Sequence, residues 1–349
     1  NRKWPGWGGT VLVLDQRQVR ELLDVRECIA AVEAAFHARG AGAVAASAVA
    51  GVAIENGRLH AKLATLDRSR RYAVAKVNAN VPTNPAKRGF PAIQGIVLLF
   101  DARTGIPLAA MDSAYLTAMR TAAATAAAAK WLALPDASSL AVIGCGVQAR
   151  PHVTALLNVR PIRQLHAFDV NRAVADGFCA DMQSAYGIEC RTEPNAREAA
   201  SLGQIVVTLT PSHDPLINAG DVPAGAFIAA VGADSEDKHE IGVDLLRSVA
   251  IVVDDLNQCA TIGDLHHAIR AGVLTAADVR ASLDQIVTGH VRGRTDDEEI
   301  IIFDSTGVAI QDAAAAAIVY EKAERSGMGV RVDIGGLPSS GQLSVLSSS

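Results

Sequence analysis

Lys62, Lys76, Arg120 and Asp234 stand out in a chain otherwise rich in small apolar residues. Lys62 and Lys76 lie in runs that read as strands. Arg120 lies in an Ala-rich helical run, and Asp234 follows the apolar run 227–231. Lys and Arg are rarely buried unless paired. An Arg fork binds a carboxylate through two parallel hydrogen bonds, and a Lys beside it can hold the second oxygen or move a proton. Asp234 can take an amine or imine. Together these side chains outline a site shaped for an amino acid, although each alone also fits a surface or ion-paired residue.

A second constellation concerns a nucleotide. The apolar run 140–143 reads as a buried parallel strand. It stops at Gly144-Cys145-Gly146-Val147-Gln148-Ala149, and an apolar helical pattern follows from Val153. Strand, G-x-G-x-x-A turn and helix form the dinucleotide fingerprint in its proper setting. Gly144 permits the tight turn, Gly146 lets a pyrophosphate approach the backbone, and Ala149 lets helix and strand pack closely. Val147 and Gln148 complete the turn, at a helix start whose N–H groups and dipole favour phosphate. Asp169, at the end of the next strand, is placed for the ribose hydroxyls of NAD, as a carboxylate roughly 20 residues beyond the turn. Arg172 could instead pair with the extra phosphate of NADP, so the cofactor is NAD or NADP, with NAD favoured. Thr208 and Thr210 end a further strand, where hydroxyls can meet a cofactor or serve as ordinary strand residues.

The elements that must position these residues follow from periodicity. Thr10–Leu14 reads as a strand, Asp15 as a helix cap, and 25–39 as a helix. Strands at 51–55 and 58–63 flank Asn56-Gly57, a strong hairpin signal. Further strands are expected at 72–78, 94–101 and 107–112, with a polar loop at 80–91 that could serve as a lid. A long Ala-rich helix spans 116–134. From 140 to about 306 strands and helices alternate, with strands at 165–168, 205–209, 227–231, 250–253 and 299–303. A last helix covers 309–326. The strand ends Gly144, Asp169, Thr210, Asp234 and Ser305 should line one edge of a parallel sheet, where doubly wound folds bind ligands. The fold class is therefore α/β, a doubly wound sheet accompanied by an α+β domain.

At 349 residues two domains are expected. The net charge of −5 gives no basic footprint for nucleic acid. No apolar run reaches the roughly 18–20 residues of a membrane span. The N-terminal stretch lacks the apolar core of a signal peptide and reads as a leader remnant. Cys28, Cys145, Cys179, Cys190 and Cys259 are scattered without metal-ligand spacing, so no metal site is expected. The odd count points to free thiols in a reducing cytoplasm. Cys145 reads as a small filler in the turn, and His266-His267 as a helix face.

The motifs, taken in order, resemble the ornithine cyclodeaminase/mu-crystallin family. They are Lys76-Val77-Asn78, Gly89-Phe90-Pro91-Ala92-Ile93-Gln94-Gly95, Met111-Asp112-Ser113, Thr117-Ala118-Met119-Arg120-Thr121-Ala122-Ala123, the glycine turn, Val231-Gly232-Ala233-Asp234 and Phe303-Asp304-Ser305-Thr306-Gly307. The resemblance spans about residues 10–333. It implies a homodimer with a substrate and dimerisation domain at 10–115 plus 308–333, a Rossmann domain at 116–307, and flexible ends at 1–9 and 334–349. It also implies a nicotinamide cofactor and an amino or imino acid substrate. Lys76 and Arg120 would hold the substrate carboxylate, Thr121 would meet the cofactor phosphates, Asp234 would be catalytic, and Ser305 to Gly307 would lie near the nicotinamide.

Two departures bear on specificity. Ornithine cyclodeaminase carries an early Arg where this chain has Ala48-Val49-Ala50-Gly51, and a catalytic Glu where it has Leu59-His60-Ala61-Lys62-Leu63. Lys62 is a candidate for the missing positive charge and His60 for the missing proton carrier, both facing the substrate. The expected activity is NAD(P)-dependent oxidoreduction at a C–N bond, with reduction of a cyclic imine ahead of cyclodeamination of ornithine or lysine, or reductive amination as in the family's alanine dehydrogenases. A binding protein without turnover, like mu-crystallin, is the alternative of a different class.

Overall fold

The computed structural model describes residues 9–43, 47–68 and 70–334. The expected flexible ends lie outside these residues except for Gly9 and Ile334. Strands β1 (Thr10–Leu14), β2 (Ser47–Ile54), β3 (Gly57–Asp67), β4 (Arg71–Asn80), β5 (Ile93–Asp101) and β6 (Pro107–Asp112) precede the glycine turn. After them come β7 (Ser139–Ile143), β8 (Gln164–Phe168), β9 (Glu189–Thr192), β10 (Ile205–Thr208), β11 (Phe227–Ala230), β12 (Ala250–Val253), β13 (Ala281–Ser282), β14 (Ile301–Asp304) and β15 (Val330–Asp333).

Two sheets result. The first has the order β15-β1-β6-β5-β4-β3-β2 and is antiparallel apart from the parallel β1–β6 pair. The second, β13-β12-β14-β11-β10-β7-β8-β9, is parallel throughout. Its strand order reverses beside β7, so the glycine turn sits at the switch point where such sheets take ligands. The hairpin forms, but its two-residue turn is Glu55-Asn56 rather than Asn56-Gly57: Asn56 takes the positive φ of 61°, and Gly57 already pairs with Ile54 as the first residue of β3.

Two Ala-rich helices join the sheets. Ser113–Leu132 starts at Asp112, whose carboxylate accepts the Tyr115 N–H at 3.0 Å. It runs almost wholly buried into β7. Ala309–Ser326 follows β14 and packs its small side chains against the inner face of β3 and β4. Alanine lets these backbones come close, and the two helices carry much of the apolar core. β15 then brings the chain back beside β1.

Some expectations need correction. The strand expected at 51–55 begins at Ser47, the helix expected from Val153 begins at Ala149, and the loop 80–91 contains the short helix Asn84–Arg88. Strands β9, β13 and β15 are too short to show a period. Cys179 and Cys190, expected as free thiols, form a disulfide: helix Arg172–Tyr186 turns back on β9 and brings their Cα atoms to 5.2 Å. Cys28, Cys145 and Cys259 are free and buried. Among the described residues no helix is long and apolar enough to cross a membrane.

Gly144 has φ 96°, and a Cβ there would lie 2.9 Å from Thr210 Cγ2 and 3.0 Å from the Leu209 carbonyl carbon. Gly144→Ala should therefore cost about 1–3 kcal/mol of stability through backbone strain. An unchanged urea midpoint would show the turn to be relaxed.

Candidate active site

The register of β3 and β4 places Lys62 opposite Lys76 and His60 opposite Asn78. Alternation puts all four on the sheet face that looks toward the helices. Two ammonium groups side by side in a buried sheet need an acceptor, and the closing helix supplies it. Asp312 Oδ1 accepts Lys76 Nζ at 3.0 Å and Arg120 Nε at 2.8 Å, and Arg120 Nη1 donates to Gln311 Oε1 at 2.6 Å. Lys76 and Asp312 are 1% and 0% exposed, so this pair is screened from water. Lys62 takes a different partner: its ammonium donates to the carbonyls of Thr306 at 3.0 Å and Gly307 at 2.5 Å.

The 305–307 loop that receives Lys62 is held by Asp254. This buried carboxylate accepts the Ser305 and Thr306 hydroxyls, each at 3.1 Å, and the Gly307 N–H at 2.6 Å. Gly307, at φ 79°, lies against Arg120: a Cβ there would be 2.6 Å from Nη1. The first sheet, both Ala-rich helices and the end of β14 thus meet around one cluster of cations.

Electrostatics sharpen the picture. Burial, then the Arg120 charge, pushes Lys76 down to about 7. Burial and Arg120 also lower Lys62. Burial, then Lys62 and Lys76, pushes His60 down to about 4, so it is neutral near pH 7. Burial opposes the Asp312 charge, but Arg120 and Lys76 outweigh it and hold that carboxyl below the usual range. Arg120 and Lys76 keep further N–H groups beyond those given to Asp312 and Gln311.

Asp234 lies in the exposed loop after β11, ion-paired with Lys238. Its negative charge reaches His60 and Lys62 and partly offsets the pushes on both. The glycine turn fits a dinucleotide. Gly146 is exposed with open space where a Cβ would stand, Val147 is 82% exposed, and Gln148 Oε1 is buried with no partner among the described residues. Asp169 accepts the Cys145 and Asn171 N–H groups, both at 2.9 Å, so its carboxylate sits beside the turn. Arg172 is 70% exposed and 3.7 Å from Asp176. Thr121 is buried, with its hydroxyl donating to the Thr117 carbonyl at 2.7 Å. Cys145 is buried too. Burial, then Asp169, pushes its thiol up to about 12, which suits a filler rather than a nucleophile.

Thr208 departs from the expectation of cofactor contact. It is fully buried, and its hydroxyl donates to Glu240 at 2.7 Å. Thr210 gives Glu240 both its N–H, at 2.6 Å, and its hydroxyl, at 2.7 Å, and the Gly232 N–H joins at 2.8 Å. Glu240 therefore ties the ends of β10 and β11 together, and burial beside Asp264 pushes its carboxyl up to about 7. Two further residues of the cluster carry a signal in the sequence. Asp312 is the one carboxylate in the Ala-rich run 309–319, as Arg120 is the one cation in the run 116–129, and Asp254 follows an apolar strand.

The model of the ornithine cyclodeaminase/mu-crystallin family matches residues 10–327. The chain belongs to this family. It is 39% identical over 321 residues to the alanine dehydrogenase of Archaeoglobus fulgidus, covering 92% of this chain and 98% of that protein. A solved archaeal alanine dehydrogenase dimer with bound NAD superposes with a TM-score of 0.89 at 38% identity, over 93% of this chain and 100% of the other. The Delta(1)-pyrroline-2-carboxylate reductase of Thermococcus litoralis, solved with NADH and L-proline, gives 0.88 at 33% identity, over 92% and 100%.

Protonated Lys76 attracts a carboxylate and its neutral form does not. The affinity of this site for a small carboxylate should therefore fall as pH rises through about 7. Binding near pH 8 should take up a proton, since an anion draws Lys76 back to its charged form. Calorimetric titration with propionate in buffers of different ionisation enthalpy measures both, and pH-independent affinity without proton uptake contradicts a carboxylate-binding role for Lys76.

Proposed function

We propose that this chain is an NAD-dependent oxidoreductase that reduces the C=N bond of a small 2-imino acid. The observation that carries this reading is the buried cluster of Lys76 and Arg120 on Asp312, which meets the 305–307 loop at the carboxyl end of β14, in the sheet that also carries the glycine turn. Gly144, Gly146, Val147, Gln148, Asp169 and Thr121 would hold the dinucleotide, with Thr210, Ser305 and Gly307 lining its path. The Asp169 carboxylate favours NAD, because it would repel a ribose phosphate; Arg172, paired with Asp176, is the residue that could accommodate one. NADH, when bound, supplies the hydride that the α-carbon receives.

The protein's own groups do the rest. Arg120 and Lys76 hold the substrate carboxylate and fix the α-carbon, and such positioning supplies several kcal/mol of barrier reduction. Asp234 faces the nitrogen and keeps a proton on it, which makes the imine carbon more electrophilic. Its exposure lets that proton exchange with solvent. His60, held neutral, can donate or accept a hydrogen bond without adding charge. We place the substrate and dimerisation domain at 10–115 plus 308–333 and the cofactor domain at 116–307, with the cleft between them as the reaction site.

Dimerisation is supported by the outer face of the first sheet. Val13, Val52, Ile54, Leu59, Leu63 and Ile96 leave 36% or more of their surface in contact with solvent there. A contiguous apolar face of this kind marks an association surface. Leu63→Glu should convert a dimer to a monomer in sedimentation experiments; an unchanged mass would move the interface elsewhere.

Following NADH absorbance with pyrroline-2-carboxylate, piperideine-2-carboxylate, and pyruvate plus ammonium tests the activity. Turnover is expected with at least one of these. Absence with all, and with ornithine or lysine plus NAD, removes the reading. Asp234→Asn should lower kcat about 100-fold or more with NADH affinity nearly unchanged. Equal loss of NADH binding would assign Asp234 to the cofactor instead.

A further inference from the structure

Strands β10 and β11 pair as far as Thr208 and Ala230, and beyond that point the Glu240 carboxylate bridges the chains that leave them. Its Oε1 accepts the Thr210 N–H and hydroxyl, and its Oε2 accepts the Thr208 hydroxyl and the Gly232 N–H. Each oxygen thus carries two donors, and the side chain is wholly buried. A Cβ at Gly232 would stand 2.4 Å from Oε2 and 2.3 Å from the Thr210 carbonyl oxygen, so only glycine leaves room for this clasp.

Both arms of the clasp lead to the reaction site. Thr210 packs its methyl group against the glycine turn at Gly144. Gly232 is followed by Ala233 and Asp234, at the root of the exposed loop. Four donors suit a carboxylate and leave no acceptor for an acid proton. The two backbone N–H groups cannot turn. A proton on Glu240 is housed only if Thr208 or Thr210 reverses its hydroxyl and gives up its own contact.

The ionisable groups around Glu240 favour such a proton. Asp264, at the start of helix Asp264–Arg270, accepts the Glu240 and Ile241 N–H groups at 2.7 and 2.9 Å. Asp304 reaches the same helix through the Leu265 N–H at 2.9 Å, and Asp254 acts on Asp304. Toward the loop stand the stacked His239 and His267 rings, 3.8 Å apart, and the Asp234–Lys238 pair. Burial, then Asp264, pushes the Glu240 carboxyl up to about 7.

We propose that Glu240 is a positioning residue that must be ionised: as a carboxylate it holds the glycine turn and the Asp234 loop at working distance, and protonation loosens both. The effect on Asp234 rests on the imine reduction proposed above; the effect on the glycine turn needs only that a dinucleotide binds there.

Fluorescence titration of the full chain with NADH at pH 8 and pH 6, and kcat on pyrroline-2-carboxylate over the same range, test this. Wild type should bind NADH about 3-fold or more weakly at pH 6, and kcat should fall by about 10-fold. Glu240→Gln, uncharged at every pH, should show the weaker values at both. Asp264→Asn removes a neighbouring negative charge, so it should move both losses to lower pH and keep the pH 8 values. The same pH dependence in all three proteins overturns the inference. So does a wild type whose NADH affinity is flat from pH 8 to pH 6, or Glu240→Gln with wild-type affinity and kcat at pH 8. If Glu240→Gln does not fold, wild type and Asp264→Asn decide. Absence of turnover with any imine removes imine reduction, and the NADH titrations still decide the role of Glu240.

Discussion

The carboxylate of Asp312 is the constraint on which the site depends. It is wholly buried, and one of its oxygens accepts both Lys76 and Arg120. Without it, two cations from different elements would repel each other in a medium that screens poorly. Such a pair adds little net stability compared with apolar packing, because desolvation offsets the attraction. What it provides is geometry: a helix from the end of the chain fixes a strand from one sheet and the helix that leads into the other. Arg120 then presents its free N–H groups at a set position, which a flexible surface residue would not do.

Two further buried carboxylates act on backbone in the same way. Asp254 gathers three donors of the 305–307 loop, and Glu240 gathers Thr208, Thr210 and Gly232 at the ends of β10 and β11. Each of these acids meets at least three donors where water cannot reach, and buried polar groups left without partners are costly. The sheet edge beside the glycine turn is therefore held by acids beneath it. Asp234 stands apart, in the exposed loop after β11 and paired with Lys238.

The parallel sheet and the glycine turn were legible because burial of β7, β10, β11 and β12 on both faces leaves continuous apolar runs, and because Gly144 and Gly146 meet a backbone need. Lys76 and Arg120 were legible as charges in apolar surroundings. Their shared partner was not: Asp312 is far away in sequence, and only the packing of Ala309–Ser326 against β3 and β4 brings it near. Thr208 misled because a hydroxyl at a strand end looks the same whether it meets a ligand or a buried acid. The Cys179–Cys190 bond depends on a helix folding back on a strand too short to recognise. The start of β2 is not legible because its Ala-rich run gives little contrast between faces.

The most direct test of hydride addition at this cleft uses NADH carrying deuterium at both C4 positions, with mass spectrometry of the amino acid formed. One deuterium on the α-carbon is the expected result. Amino acid formed without deuterium at that carbon would contradict it.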